Sequence, residues 1–198
     1  MTGDLNGLKS VMRLAMQSGV RGMTGGEKAD ASSAICRVIA ESKVWQDSDV
    51  VLLFAGDDSE PCLDGLIANG VHTGKTVGVP RIDWERKLLL PRAVRSPDDL
   101  IEGRHGIRVP HETCGAVEVD RVGLVLVPGV GFDLSGGRLG RGGGFYDRFV
   151  TAWRGGCPMG SSVLGVCFDV QLVNRVPVGV HDAGVDGICT ESRLTILS

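Results

Sequence analysis

A chain of 198 residues and 20.9 kDa is long enough to bury a self-sufficient core and suits a single domain. With 42% apolar and 23% charged residues it is neither a disordered tail nor a collagen-like repeat. Lys plus Arg total 21 against 24 acidic residues, a net charge of −3, and aromatics reach only 5%. These values speak against general nucleic-acid affinity and against a base-stacking platform. The unusual number is glycine, 30 residues.

In chain order, Leu5, Leu8, Met12 and Ala15 recur at helical spacing, with Lys9 and Arg13 one turn apart on another face. Thr24-Gly25-Gly26-Glu27 reads as a capping box opening a helix to about Trp45. The apolar run Asp49–Ala55 has strand length and suits burial on both faces, as in a parallel sheet. Ser59-Glu60-Pro61 predicts a helix start, running to about Asn69. Brief strands are expected at Thr76–Pro80 and Lys87–Pro91, and a short helix near Pro97–Ile101 within a loop-like stretch. Val122–Pro128 is the clearest buried strand. A glycine-rich segment, 129–144, follows it, then a helix carrying Phe145, Phe149 and Trp153 at i, i+4, i+8. Val163–Phe168 and Val185–Cys189 complete the strands, with a short helix near Val170–Val176. This alternation predicts one α/β domain over residues 1–198, a three-layer sandwich with a mainly parallel or mixed central sheet.

Cys36, Cys62, Cys114, Cys157, Cys167 and Cys189 are widely spaced and form no C-x-x-C pair. They read as reduced thiols of a cytoplasmic protein. The N-terminal stretch is no signal peptide, and no apolar run is long enough to span a membrane.

Eight of the 30 glycines fall between Gly129 and Gly144, joining a buried strand to a helix. Bare backbone lets a ligand approach closely, and free N–H groups beside a helix N-terminus form an anion site. Arg138 and Arg141 add positive charge, so phosphate binding and a plain flexible connector are both open. Known nucleotide motifs do not fit. Gly140–Phe145 fails G-x-G-x-x-G at its last position, and Asn69 stands where the first glycine of a Walker loop ending at Gly74-Lys75-Thr76 should be.

Val127-Pro-Gly-Val-Gly-Phe-Asp133 and Arg138-Leu-Gly-Arg-Gly-Gly-Gly-Phe-Tyr-Asp-Arg148 closely resemble the signature of 5-formyltetrahydrofolate cyclo-ligases, or methenyltetrahydrofolate synthetases. Collinear pieces extend the resemblance over most of the chain. They include Lys9 with Arg13, Phe54 to Glu60, Gly74–Arg81, Gly106-Ile107 with Pro110, and a tail containing Gln171, Pro177, His181-Asp182 and Thr190-Glu191.

The resemblance implies a layered fold like that of sugar-phosphate isomerases and CoA transferases. It implies conversion of 5-formyltetrahydrofolate and ATP to 5,10-methenyltetrahydrofolate, ADP and phosphate with magnesium. In that family scheme the formyl oxygen takes the γ-phosphoryl group as an iminophosphate, N10 attacks, and phosphate leaves. Positioning and charge neutralisation carry such chemistry. Lys9, Arg13, Arg138, Leu139, Gly140, Arg141, Gly142, Gly143, Gly144, Phe145 and Tyr146 then match nucleotide-binding positions. Ala55, Glu60 and the stretch Arg141–Phe145 match folate-binding positions. Asp147 and Asp182 match magnesium ligands, a pair suited to a hard cation with phosphate oxygens. Tyr146 and Arg141 are the expected catalytic groups, Tyr146 at the reacting formyl. His181 reads as a tuning or packing neighbour, with a base as the alternative.

The sequence departs from the family pattern at Val109 and Gly179, where glutamates are usual, and at Phe54 and Phe145, where tyrosines are usual. The two lost charges motivate a second reading, a non-catalytic nucleotide- or folate-binding paralogue. A phosphosugar isomerase or acyl-CoA transferase is a third, on fold analogy. The expected substrate is the folate alone, without nucleic acid or membrane, and the expected state is a monomer.

Overall fold

In a computed structural model, which describes residues 2–197, five parallel strands form the centre of a seven-stranded sheet. They are β1 (Val50–Leu52), β2 (Thr76–Asp83), β6 (Leu124–Val127), β9 (Ser162–Val166) and β10 (Gly187–Cys189). Antiparallel strands close both edges: β3 (Leu88–Val94) on β2 and β11 (Leu194–Ile196) on β10. The order is β11-β10-β9-β6-β1-β2-β3, a mixed sheet as expected. Two small hairpins stand outside it, β4 (Leu100–Glu102) with β5 (Arg108–Pro110), and β7 (Gly131–Phe132) with β8 (Arg138–Leu139).

The continuous apolar runs divide their side chains between two layers, as the period of two requires. Val51, Leu53, Leu124 and Leu126 pack with Ile35, Ile39, Leu66 and Ile67. Those partners come from helices α2 (Gly25–Ala40) and α4 (Asp64–His72). Val50, Leu52, Val125 and Val127 pack on the opposite face with Val150 and Trp153 of α5 (Phe145–Arg154). Helix α1 (Thr2–Gly22) lies along a rim, where Met12 and Met16 meet Val130, Leu139 and Val176.

The structure corrects several boundaries. The helix opened by the Thr24 capping box ends at Ala40, and Ser42 caps a separate turn, α3 (Lys43–Gln46). The segment after β1 stays irregular to Leu63, so Ser59-Glu60-Pro61 opens no helix. The helices expected near Pro97 and Val170 are single 3₁₀ turns, Pro97–Asp99 and Asp169–Gln171. Strands β4, β5, β7, β8 and β11 fall outside the expected strands.

Between β7 and β8 the chain turns around Asp133, which is 1% exposed. Its carboxylate accepts hydrogen bonds from Ser135 N (2.8 Å), Ser135 Oγ (2.5 Å), Gly137 N (3.1 Å) and Val176 N (2.6 Å). Burial pushes this carboxyl up, but the donors outweigh burial and hold it below its ordinary value. Asp133→Ala leaves three backbone donors without this acceptor and should lower the unfolding free energy by about 3 kcal/mol, measured by urea denaturation. Because the native pKa is depressed, the wild type's advantage is present above the ordinary carboxylate range. It should fade as pH falls through the native value.

Candidate functional site

Reading the five parallel strands in space gives β2-β1-β6-β9-β10. From β1 the chain moves one way to β2 and then the other way to β6, so the strand order reverses between β1 and β6. In open α/β sheets ligands bind beyond the carboxyl ends of the strands at such a point. Here β1 runs into Phe54, Ala55 and Gly56, β6 into Pro128 and Gly129, and all five line one cavity of about 420 Å³.

This first cavity is largely apolar. Pro80, Ile82 and Leu89 from the β2–β3 hairpin supply one wall. Trp84, at the tip of that hairpin, meets Phe145 edge-on at 5.4 Å and His105 edge-on at 5.5 Å. Arg148 secures the tip by donating to the carbonyls of Lys87 (3.2 Å) and Gly143 (3.0 Å).

Glu60 is the carboxylate of this cavity. It lies under the backbone of Gly56, where a Cβ would stand 1.7 Å from Glu60 Oε2, so only glycine admits the side chain there. Arg141 reaches across from the glycine segment. It pairs with Asp57 through two bonds (2.6 and 2.8 Å), with Ser59 Oγ (2.7 Å) and with Glu60 Oε1 (2.9 Å). The Arg141 hydrogen bond comes first among the causes that hold Asp57 well below the usual carboxylate range. Burial pushes Glu60 up to about 7; Arg141 opposes that rise and Asp57 adds to it. Tyr146 lines the same cavity. Burial first, and then the charge of Glu60, raise its phenol, so the hydroxyl remains a proton-bearing donor.

A second cavity, about 800 Å³, lies on the other side of the glycine segment. Lys9 and Arg13 reach it from α1, one turn apart, and Arg148 reaches it from α5. Arg13 Nε donates to the Gly140 carbonyl at 2.8 Å, and Lys9 pairs with Asp182. Gly140, Gly144 and Asp147 border both cavities, so the partition is mostly main chain. Gly142 and Gly144 hold φ of 99° and 67°, the left-handed region; Gly144 thereby leads straight into α5 as its N-cap.

The expected site residues therefore sort into two groups. Ala55, Glu60, Arg138, Arg141, Gly143, Phe145 and Tyr146 line the first cavity. Lys9, Arg13, Leu139, Gly142 and Asp182 line the second, with His181. Arg138 and Arg141, matched by resemblance to nucleotide positions, do not border the second cavity. Arg138 is buried against Asp147 (2.5 Å) and the Pro128 carbonyl (3.3 Å), and Arg141 is committed to Asp57 and Glu60. The second cavity's positive charge comes instead from Lys9, Arg13 and Arg148. Spacing alone had not singled out Arg148, Asp57 or Trp84, because each joins the site through contacts distant in sequence.

Asp147 and Asp182 meet the requirements of a divalent cation in part. Asp147 Oδ1 accepts from Arg138 and from Ala183 N (3.1 Å), the residue next to Asp182. Asp182 Oδ2 accepts from Lys9 and from Gly179 N (2.5 Å). Burial pushes Asp182 up, but Lys9 and the Gly179 N–H hold it below its ordinary value. Among the described residues the second carboxylate oxygen of each, Asp147 Oδ2 and Asp182 Oδ1, has no protein hydrogen bond. No group of three His, Cys, Asp or Glu side chains that could hold a metal occurs there either. A hard cation would thus take two protein oxygens and complete its shell with phosphate and water, the usual pattern for magnesium.

A model of the 5-formyltetrahydrofolate cyclo-ligase family matches residues 6–191. A Caenorhabditis elegans protein named as a probable 5-formyltetrahydrofolate cyclo-ligase is 28% identical, covering 96% of this chain and 95% of its own. The Escherichia coli K12 5-formyltetrahydrofolate cyclo-ligase is 30% identical over 148 residues, 73% of this chain and 78% of its own. The Aquifex aeolicus 5,10-methenyltetrahydrofolate synthetase structure superposes with a TM-score of 0.79 at 28% identity, covering 96% of this chain and 93% of that one. From the reversal in strand order to the glycine partition and these likenesses, the conclusion is that the chain belongs to the 5-formyltetrahydrofolate cyclo-ligase family.

Proposed function

We propose that this protein closes the ring of 5-formyltetrahydrofolate to 5,10-methenyltetrahydrofolate, at the expense of ATP, with release of ADP and phosphate. The observation that carries this reading is the pair of cavities on either side of one glycine wall, the first apolar and the second rich in Lys and Arg. Two substrates that must exchange a phosphoryl group need such adjacency.

The folate fits the first cavity, where Trp84, Phe145 and Ile82 offer ring-sized apolar surface and Glu60 offers an acceptor. Tyr146, protonated, would donate toward the formyl oxygen and hold it against the wall. The nucleotide phosphates fit the second cavity, with Lys9, Arg13 and Arg148 supplying charge. Magnesium, held by Asp147 and Asp182, would neutralise phosphate charge when bound. Arg138 positions Asp147 and fixes its orientation. Arg148 ties the hairpin tip to the glycine segment and so holds Trp84 in the wall of the apolar side.

The reading keeps a small-molecule substrate; the six cysteines are free, and among the described residues no helix is long and apolar enough to cross a membrane. The binding-only alternative rested on Val109 and Gly179. Neither residue lines either cavity, so neither lost charge removes a lining group. Val109 packs toward Gly103, and Gly179 adjoins Leu5 and donates its N–H to Asp182. Purified protein given Mg-ATP and 5-formyltetrahydrofolate should generate the absorbance of methenyltetrahydrofolate. Saturable binding of both compounds without that absorbance would favour the paralogue instead.

A further inference from the structure

Outside the shared wall, the first cavity is bordered by a short arm that the reading above leaves without a role. Strands β4 and β5 pair antiparallel, and Gly103-Arg104-His105-Gly106-Ile107 joins them. Both central residues are left-handed, φ 63° at His105 and 73° at Gly106, and Ile107 N donates to Arg104 O at 3.4 Å. A turn with two left-handed centres matches the twist of a hairpin, and histidine is among the few non-glycine residues that tolerate this region. The arm is therefore tight, and its inner side meets the cavity through His105, Ile107 and Arg108.

The charges on this arm are unequal. Arg108 is neutralised by Asp64 through two bonds of 2.9 and 2.7 Å. Arg104 is exposed, and its guanidinium carbon lies 5.6 Å from the centre of the Trp84 ring. Among the described residues no carboxylate pairs with it. Its place over Trp84, a residue of the cavity wall, keeps the guanidinium beside the cavity while its N–H groups stay open. Glu60 thus lines the first cavity, while an unpaired cation stands just outside its lining, over Trp84 and next to His105, both of which line it.

Resting on the cyclo-ligase reading, we propose that Arg104 is the subsite for the glutamyl carboxylates of the folate substrate and sets affinity for that tail. A folate is a polar pteridine, an aminobenzoyl bridge and a glutamate with two carboxylates. Its donor-rich pteridine edge suits the Glu60 end, which sends the carboxylates outward to the rim. A planar guanidinium engages a carboxylate through two parallel bonds. Each further glutamate adds negative charge near the same cation.

The test measures turnover of 5-formyltetrahydrofolate and of its analogue lacking glutamate, 5-formyltetrahydropteroate, by wild type, Arg104→Met and Arg104→Lys. Methionine keeps apolar cover on Trp84 and removes only the charge. For Arg104→Met the KM of the glutamyl substrate should rise roughly three- to fivefold, the size of an exposed ion pair. The pteroate KM, the ATP KM and kcat should move little, and Arg104→Lys should recover much of the loss. In wild type the glutamyl KM should climb with salt, and in Arg104→Met that slope should flatten. An equal rise for both substrates, or no rise for either, overturns the subsite. Wild type that turns over neither substrate overturns the cyclo-ligase reading and the subsite with it, an outcome separable from the other two.

Discussion

Replacing Asp147 by alanine is expected to cut turnover roughly a hundredfold or more, through loss of a carboxylate proposed to hold magnesium. It should also lower the unfolding free energy by about 3 kcal/mol. The stability loss follows from its partner. The Arg138 side chain is 4% exposed, and Asp147 is its only ion-pair partner among the described residues. Removing one member of a buried pair leaves the other charge without compensation. Asp147→Asn separates the two effects. The amide oxygen can still accept from Arg138 or from Ala183 N, so the stability loss should shrink while the turnover loss persists. Urea denaturation of both variants, beside kcat at saturating magnesium, reads the difference. Equal turnover by wild type and Asp147→Asn would remove Asp147 from the metal site.

Arg141→Met should act on the other cavity. Arg141 is the cation that restrains Glu60, so its loss leaves burial and Asp57 to push that carboxyl above its present value of about 7. In the native wild type Glu60 binds its proton more tightly than at the ordinary value of 4.5. Its contribution to stability is therefore full below that ordinary value and is lost as pH rises through about 7. In the variant the loss should move to higher pH. The folate KM should rise roughly tenfold at neutral pH, the worth of a charged hydrogen bond, and its pH dependence should shift in the same alkaline direction. An unchanged pH profile with an altered KM would mean that Arg141 contacts the substrate without tuning Glu60.

The buried parallel strands were legible because burial on both faces writes a continuous apolar run, as in Leu124–Val127. Helix α2 was legible at its start, where Thr24 and Glu27 cap each other reciprocally. The failures share a cause. The segment from Ser59 to Pro61 carries helix-start residues, yet Arg141, 82 positions away, binds Ser59 and holds the loop open. Strands β7 and β8 are two residues long and owe their pairing to the Asp133 turn, which no periodicity reveals. In the site, Lys9 and Arg13 were readable as a pair because helical spacing puts them on one face. Which cavity Arg138 and Arg141 serve was not readable, since it depends on acids supplied from Asp57, Glu60 and Asp147.

The bare partition also limits how this protein can diverge. Gly140, Gly144 and Asp147 face folate on one side and nucleotide on the other in the proposed complex. A substitution there changes two dissociation constants together, and occupancy of one chamber biases the other reciprocally. Adaptation to a different folate form is then confined to the outer lips, where one ligand can be adjusted alone. The chain's own departures from the family pattern spare the three partition residues: Phe54 and Phe145 line the folate side alone, and Val109 and Gly179 line neither cavity.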